Sequence, residues 1–145
     1  MTFTVEAVNI SAAKGTAKTQ VQEIELLPGH GISGDAHAGP WHRQVSLLAA
    51  EAIDVMKAKG LKLEPGAFGE NVVTRGFDWT KAEIGGRVTI GAVELEISQI
   101  GKECHSHCAI FYAAGECIMP SQGVFARVLK GGIIRASHRG HYHLR

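Results

Sequence analysis

The sequence lacks the features that would assign the protein to a membrane or nucleic-acid class. No apolar run approaches the roughly 20 residues that a helix needs to cross a bilayer, and the first residues lack the basic and long apolar regions of a signal peptide. The formal net charge is only +1, which provides no general electrostatic attraction for nucleic acid or an anionic membrane. We therefore predict no nucleic-acid partner and no membrane association, and any bound anion must be held by a local cluster.

Cysteine is also scarce. The chain has 3 cysteines, an odd number that cannot all be paired within one molecule. Together with the absence of a signal peptide, this predicts free thiols in the reducing cytoplasm. All three, Cys104, Cys108 and Cys117, lie in one short stretch, so any thiol chemistry must be local.

Glycine, by contrast, is abundant. The chain has 18 glycines among its 145 residues, a share well above the roughly 7% that is typical of proteins. These glycines separate short apolar runs. That pattern favours many strands and tight turns over a helical bundle. The 145 residues fit one domain, residues 1–145, and are enough to bury a proper core. The predicted fold class is therefore mostly β.

Alternation of apolar and polar residues locates several strands. It predicts half-buried strands over residues 3–10 and 21–26. The strongest pattern, over residues 82–100, predicts a β-hairpin with its turn at Gly91 and Ala92. This hairpin leads directly into the cysteine stretch.

The remaining elements are predicted from weaker patterns. An apolar stripe that includes Val55 and Met56 predicts a helix over residues 47–59, with Ser46 as its N-cap. A second, short helix is predicted over residues 123–129, closed by two glycines.

The end of the chain is predicted to contribute little to the core. Ile133 and Ile134 indicate a final strand, and residues 137–145 are predicted to form a loose basic tail. The tail contains three histidines without a core pattern, and we expect any metal binding there to be adventitious.

Residues 29–43 form the first candidate site. They contain 4 glycines and a proline, which excludes a regular element, and they carry Asp35, His37 and Arg43. Binding residues often lie on such loops above a rigid scaffold. A solvated surface connection explains the same residues, so both interpretations stay open.

Residues 65–74 form the second candidate site, in which a turn leads into a short strand. Gly66 and Gly69 let backbone N–H groups approach a bound group closely. Glu70 supplies an acceptor, and Asn71 supplies both a donor and an acceptor. The same composition is common in plain turns.

The cysteine stretch, residues 101–111, is the third candidate site. If it is extended, Cys104 and Cys108 share a face with their Cα atoms ~13 Å apart, too far for a disulfide. If it is helical, the two residues share a face and a bridge becomes possible. Lys102 and a protonated histidine nearby favour the thiolate, which is the nucleophilic and metal-binding form. The alternative is that these cysteines are small core hydrophobes.

Read together, several segments resemble the MOSC domain, named for the carboxyl-terminal domain of molybdenum cofactor sulfurases. In chain order they are residues 34–37 (GDAH), 41–46 (WHRQVS), 65–71 (PGAFGEN), 101–108 (GKECHSHC), 119–120 (MP) and 123–132 (GVFARVLKGG). They cover nearly the whole chain, and the closest resemblance is to small standalone bacterial members. The resemblance implies a closed, mostly antiparallel β-barrel with a few peripheral helices.

The resemblance also implies a function. It points to a protein that binds the molybdenum cofactor (molybdopterin) and either handles or transfers sulfur, or acts as a small molybdenum-dependent oxidoreductase. Cys108 is the implied catalytic residue and metal ligand, with Cys104 as the second choice. Either activity needs a partner: a cofactor-biosynthesis protein, a sulfur donor or an electron donor. The pyridoxal-phosphate domain of the large sulfurases is absent, so no pyridoxal phosphate is expected on this chain.

Eight residues are assigned to cofactor binding on this basis; for Arg43 and Asn71 the reason is that an anionic pterin cofactor needs directed donors beside its metal-ligating thiolate. They are Asp35, His37, Arg43, Gly69, Glu70, Asn71, Lys102 and Arg127. Arg43 and Asn71 are predicted to lie close to Cys108 in space despite their separation in the sequence.

Two other functions remain open. In the first, the chain is a zinc-binding module with ligands from Cys104, His105, His107 and Cys108, although structural zinc sites usually draw on two separated pairs. In the second, it is a non-catalytic barrel that binds partners, which explains the composition but not the clustered thiols. Metal analysis of the purified protein separates these functions from the first.

Overall fold

The computed structural model of the protein describes residues 1–14, 16–60, 62–101 and 123–144. Within these ranges the chain forms strands throughout, one α-helix and a short 3-10 turn at Trp79–Lys81. The elements are β1 (Thr2–Ile10), β2 (Thr19–Val21), β3 (Glu23–Leu27), β4 (Gly31–Ile32), β5 (Val45–Ala49), α1 (Ala50–Ala58), β6 (Val72–Arg75), β7 (Arg87–Ile90), β8 (Val93–Ile100), β9 (Val124–Lys130), β10 (Gly132–Arg135) and β11 (Arg139–His143).

Seven of the strands form a closed barrel. Their order is β11-β7-β8-β9-β5-β6-β1, and pairing of β1 with β11 closes the ring. The pairings around the ring are antiparallel except for β5 with β6. Strand β2 extends the sheet beside β1, and β10, β3 and β4 form a smaller sheet. The closed, mostly antiparallel barrel predicted from the sequence is confirmed.

The barrel interior is the main core. The predicted hairpin is confirmed as β7 and β8, and its alternating residues Val88, Ile90 and Leu95 are fully buried. An aromatic cluster fills one part of the interior, where the Phe77 ring lies 4.9 Å from that of Trp79 and 4.8 Å from that of Tyr142. The edge-to-face and stacked arrangements of these rings are the favourable ones for aromatic pairs.

A second core lies outside the barrel wall, where α1 and the 65–70 turn cover the outer face of the sheet. It contains Leu48 from β5, Phe125 from β9 and Phe68 from the turn, together with Ile53 and Met56 from the helix. In the part of the chain that the structure describes, no helix is long and apolar enough to cross a membrane.

The predicted start of the helix is wrong. The helix begins at Ala50, its N-cap Ala49 makes no side-chain hydrogen bond, and Val45–Ala49 is the strand β5. Every residue of β5 is buried, because the barrel covers one face and the second core covers the other. A strand buried on both faces reads as a continuous apolar run and does not differ from a helix segment in periodicity. Val55, predicted to lie in the apolar stripe, is 60% exposed.

The predicted short helix over residues 123–129 is also wrong. This segment is the barrel strand β9, in which Val124, Ala126 and Val128 point into the main core. The period-two pattern is present in the sequence, but Phe125 interrupts it because that side chain is buried in the second core. The strand predicted at Ile133 and Ile134 is confirmed as β10, although it is not the last.

The predicted loose tail is wrong as well. Strand β11 pairs with β1 on one side and β7 on the other, so it completes the barrel. Gly140 and Tyr142 face inward, and a Cβ atom at Gly140 would lie 2.3 Å from the Phe3 ring. Because only one large apolar side chain of β11 enters the core, hydrophobic periodicity gives almost no signal for this strand.

Candidate functional site

Several of the predicted site residues that the structure describes lie along or beside a transverse row of residues that crosses several barrel strands. Gln99 of β8 is opposite Phe125 of β9, which in turn is opposite Ser46 of β5. The row continues to Asn71, whose side chain bonds to Ser46. The row therefore extends from Gln99, which is bonded to Arg43 and to Gly101 at the start of the cysteine stretch, to the 65–74 segment.

Asn71 is fully buried, and its amide joins three neighbouring strands. Its Oδ1 accepts hydrogen bonds from the Ser46 backbone N–H at 3.0 Å and the Ser46 hydroxyl at 3.1 Å. Its Nδ2 donates to the Asn9 carbonyl oxygen at 3.1 Å. Three of its four side-chain hydrogen-bonding positions thus hold β1, β5 and the start of β6 in register.

Glu70 is also fully buried, and its carboxylate holds the preceding turn. One oxygen accepts from the Gly66 backbone N–H at 3.0 Å and the other from the Phe68 backbone N–H at 3.1 Å. Gly66 itself has φ +91°, and a Cβ atom there would lie 2.2 Å from the Lys18 carbonyl oxygen. The glycine thus allows close approach of the Lys18 backbone. Gly69, the third predicted residue of this turn, also has a positive φ, of 79°.

Burial raises the pKa of Glu70 above its ordinary value of 4.5, against the opposing effect of its backbone hydrogen bonds and of Lys18. As pH rises above 4.5, Glu70 ionises first in the unfolded chain, so the folded state loses stability until the raised pKa is passed. We expect the unfolding free energy of the wild type, relative to Glu70→Gln, to fall with pH in that window. Urea unfolding of both proteins between about pH 4.5 and 8 measures this. A constant difference would contradict it.

Lys18, Asp35 and His37 form a compact polar cluster. Lys18 Nζ lies 2.8 Å from Asp35 Oδ1, and neither side chain is exposed to solvent. The other Asp35 oxygen accepts from the His37 backbone N–H at 3.1 Å, and Asp35 Oδ1 also accepts from the Ser11 N–H. The buried charge pair is therefore supported by backbone donors, which is the arrangement that a buried carboxylate requires.

The same lysine orients the imidazole of His37. Lys18 Nζ lies 3.1 Å from His37 Nδ1, a distance at which the ammonium group can donate to an unprotonated Nδ1. The His37 ring stacks on Trp41, whose indole N–H donates to the His37 carbonyl at 2.7 Å. Lys14 lies 4.4 Å from the Trp41 ring centroid.

Arg43 lies near Gly101, the first residue of the cysteine stretch, and near Phe125 of β9. Its Nε donates to Gln99 Oε1 at 3.0 Å, and its guanidinium lies 5.3 Å from the Phe125 ring centroid. The Gln99 amide donates in turn to the Gly101 carbonyl at 2.8 Å. The Gly101 N–H donates to the carbonyl of Gly123 at 2.8 Å, so these two described residues lie side by side.

Arg127 is exposed on β9, two residues beyond Phe125, so the two side chains are on the same outer face of the barrel. Lys102, Cys104 and Cys108 lie outside the described residues, as do the other ligands of the zinc alternative. Within the described ranges, no group of three or more histidine, cysteine, aspartate or glutamate side chains is arranged to hold a metal ion.

The structure thus brings together two pairs of predicted residues, Asp35 with His37 and Glu70 with Asn71. It also connects them, since the Lys18 backbone N–H donates to the Gly66 carbonyl at 2.7 Å while its ammonium binds Asp35. Sequence reasoning missed Lys18. A single lysine in a small polar segment has no pattern that distinguishes it from a solvated residue, so only its burial reveals its role.

Comparison with known structures agrees with this fold. The chain is similar to the YuaD protein from Bacillus subtilis, with a TM-score of 0.81 and 20% identity over 100% of this chain and 97% of the other. It is also similar to YiiM from Escherichia coli, with a TM-score of 0.68 and 21% identity over 100% and 71% of the two chains. YiiM from Geobacillus stearothermophilus matches with a TM-score of 0.69 and 17% identity over 99% and 75%. At these identities the likeness concerns the fold alone.

Comparison of the sequence identifies the family. No curated protein matches the chain. The family model of the MOSC domain matches residues 34–139, which include Asp35 and His37, the 65–74 segment, the cysteine stretch, the barrel strands β5 to β9 and strand β10. This match covers well over half of the sequence, and the chain therefore belongs to the MOSC domain family.

Proposed function

We propose that this protein binds the molybdenum cofactor and that Cys108 is the residue that ligates molybdenum or accepts sulfur. Membership of the MOSC family supports the cofactor class. The observation that carries the proposal is the position of Arg43, hydrogen-bonded through Gln99 to Gly101 at the base of the cysteine stretch. A guanidinium group in that place supplies the directed positive charge that an anionic cofactor requires.

The donor chemistry of the surrounding residues fits such a ligand. Arg43 uses its Nε on Gln99, which leaves the other N–H groups of the fork for bidentate contact with a phosphate. Lys102 and the exposed Arg127 add positive charge to the same proposed site. A soft thiolate such as that of Cys108 suits molybdenum and also forms a persulfide readily.

The remaining assigned residues have supporting roles in this proposal. Glu70 and Asn71 are fully buried, so they position the 65–70 turn and β5 beneath the ligand through the hydrogen bonds described above. Asp35 holds Lys18, which in turn orients His37. Gly69 has a backbone conformation that favours glycine, and its N–H donates to the Gly66 carbonyl at 2.9 Å, which closes the turn.

The cofactor supplies the redox-active metal, and the protein supplies binding and orientation. Two activities are compatible with that division: transfer of sulfur to the cofactor, or reduction of a substrate with electrons from a second protein. Both require a partner protein that donates sulfur or electrons or makes the cofactor. We place the protein in the cytoplasm, where its thiols stay reduced.

Cofactor loading tests the proposal directly. Protein produced in a host that makes molybdopterin should contain molybdenum and release the fluorescent oxidation product of the pterin. Cys108→Ser removes the soft ligand but little volume, so this variant should fold yet lose both signals, whereas Cys104→Ser should retain most of them. Equal and complete loss in the two variants would indicate a two-thiol site, and zinc in place of molybdenum would indicate the alternative function.

A pair of arginine variants separates the role of Arg43 from general charge. Arg43→Met should lower pterin content, while Arg139→Met, which removes an exposed arginine on β11, should leave it unchanged. Circular dichroism of both proteins checks that the fold is intact. Equal pterin content in the two variants would remove Arg43 from the site.

A further inference from the structure

Strand β11 carries two histidines on the outer surface of the barrel. His141 and His143 are exposed, whereas Gly140, which precedes them, and Tyr142, which lies between them, are buried. Alternation of side chains along a strand places residues i and i+2 on one face. The two imidazole rings accordingly stack with their centroids 6.0 Å apart and their planes at 27°.

We propose that His141 and His143 form a two-ligand site for a late first-row divalent cation, Cu²⁺, Ni²⁺ or Zn²⁺. Imidazole is the protein ligand best suited to these ions, and Cu²⁺ binds most tightly to a given nitrogen site. Two metal–nitrogen bonds of about 2.0–2.1 Å require ligating nitrogens within ~4 Å of each other. Exposed rings whose centroids are 6.0 Å apart reach that separation by side-chain rotation alone.

The neighbouring strand orients one of the ligands. His143 Nε2 lies 3.2 Å from the hydroxyl oxygen of Thr89 on β7. When His143 donates its Nε2 proton to that hydroxyl, Nδ1 carries the lone pair for the metal. Histidine ligands in metal sites almost always donate their second ring N–H to such a partner.

The barrel also limits the entropy cost of binding. β11 is hydrogen-bonded to β1 and β7, with His141 opposite both Thr2 and Thr89. The backbone that spaces the two histidines is therefore already ordered, and only side-chain rotation is lost when the ion binds. A loose tail with the same sequence would lose backbone freedom as well.

Charge near the site is partly compensated. Arg87 is opposite His143 in the sheet and would repel a cation. Its guanidinium lies 2.9 Å from the Glu94 carboxylate and 3.4 Å from that of Glu96, which offsets its charge. The third histidine of this region, His138, precedes the strand and has a buried Nδ1, so we exclude it from the site.

Paramagnetic broadening by Cu²⁺ locates the site on the full chain. Substoichiometric Cu²⁺ should selectively broaden the backbone amide NMR signals of Thr2, Thr89 and Tyr142. The double variant His141→Ala/His143→Ala should abolish this broadening. The matched control His30→Ala, which removes an exposed imidazole from the turn before β4, should preserve it.

Titration with Cu²⁺ and Ni²⁺ then measures affinity at this site through the same signals. Removing the hydrogen-bond partner of a metal ligand typically weakens metal binding 10–100-fold. Each single variant removes a ligand itself and should therefore weaken binding by at least about tenfold. Both positions are exposed, and circular dichroism should show unchanged folds. Broadening that spares β11, or that persists in the double variant, would overturn the proposal. Loss of broadening in His30→Ala equal to that in the double variant would also overturn it, because it would show adventitious binding only. The outcome is independent of the cysteines and of the molybdenum cofactor.

Discussion

Lys18→Met is expected to lower the free energy of unfolding by about 3–5 kcal/mol, the usual consequence of removing one partner of a buried ion pair. Both side chains of the Lys18–Asp35 pair have no solvent exposure. Without the lysine, the Asp35 carboxylate keeps its two backbone donors but loses its counter-charge in a medium of low polarity. His37 simultaneously loses the donor to its Nδ1.

Urea unfolding measures this loss of stability, and two further variants serve as controls. Lys62→Met removes an exposed lysine and should change the unfolding free energy by no more than about 0.5 kcal/mol. Lys18→Met/Asp35→Asn removes both charges and should recover part of the stability, because no uncompensated charge is left buried. If Lys18→Met proves as harmless as Lys62→Met, the ion pair does not stabilise the contact between residues 29–43 and the segment that precedes β2.

Tyr142→Ala is expected to cost a similar amount, about 3–5 kcal/mol, as for other large aromatic truncations in a core. Its ring stacks on Phe77 and meets Trp79 edge-on, and its hydroxyl oxygen accepts a hydrogen bond from the Glu83 N–H at 2.8 Å. Truncation leaves a cavity among aromatic rings and an unpaired backbone donor.

Neighbouring variants on the same strand provide the control. His143→Ala is adjacent to Tyr142 in sequence but exposed, and it should change the unfolding free energy by about 0.5 kcal/mol or less. Tyr142→Phe keeps the ring and removes the hydroxyl, so it should lose about 1–3 kcal/mol, the cost of leaving the Glu83 donor unsatisfied. Equal stability of Tyr142→Ala and His143→Ala would mean that β11 is not part of the core.

The sequence by itself determined the fold class, the family and the strands with unbroken alternation. The β7–β8 hairpin was predictable because each strand has one face in the barrel and one toward solvent. Apolar and polar residues therefore alternate along the sequence of each strand. The motifs in residues 34–37 and 65–71 likewise indicated two loops of the candidate site. Asp35 and His37 are two residues apart, so their contact is local.

Only the tertiary structure decided the identity of β5, β9 and β11 and the role of Lys18. β5 and β9 are buried on both faces where the second core covers the barrel wall, so their patterns depend on neighbours distant in the chain. β11 contributes one large side chain and a glycine to the core, and hydrogen bonding to β1 and β7 makes it a strand. Lys18 and Asp35 are 17 residues apart in the sequence, and the fold brings their side chains into contact. The structural role of Lys18 depends on that contact. In each case the deciding interaction is a long-range contact, whereas local sequence patterns record only short-range ones.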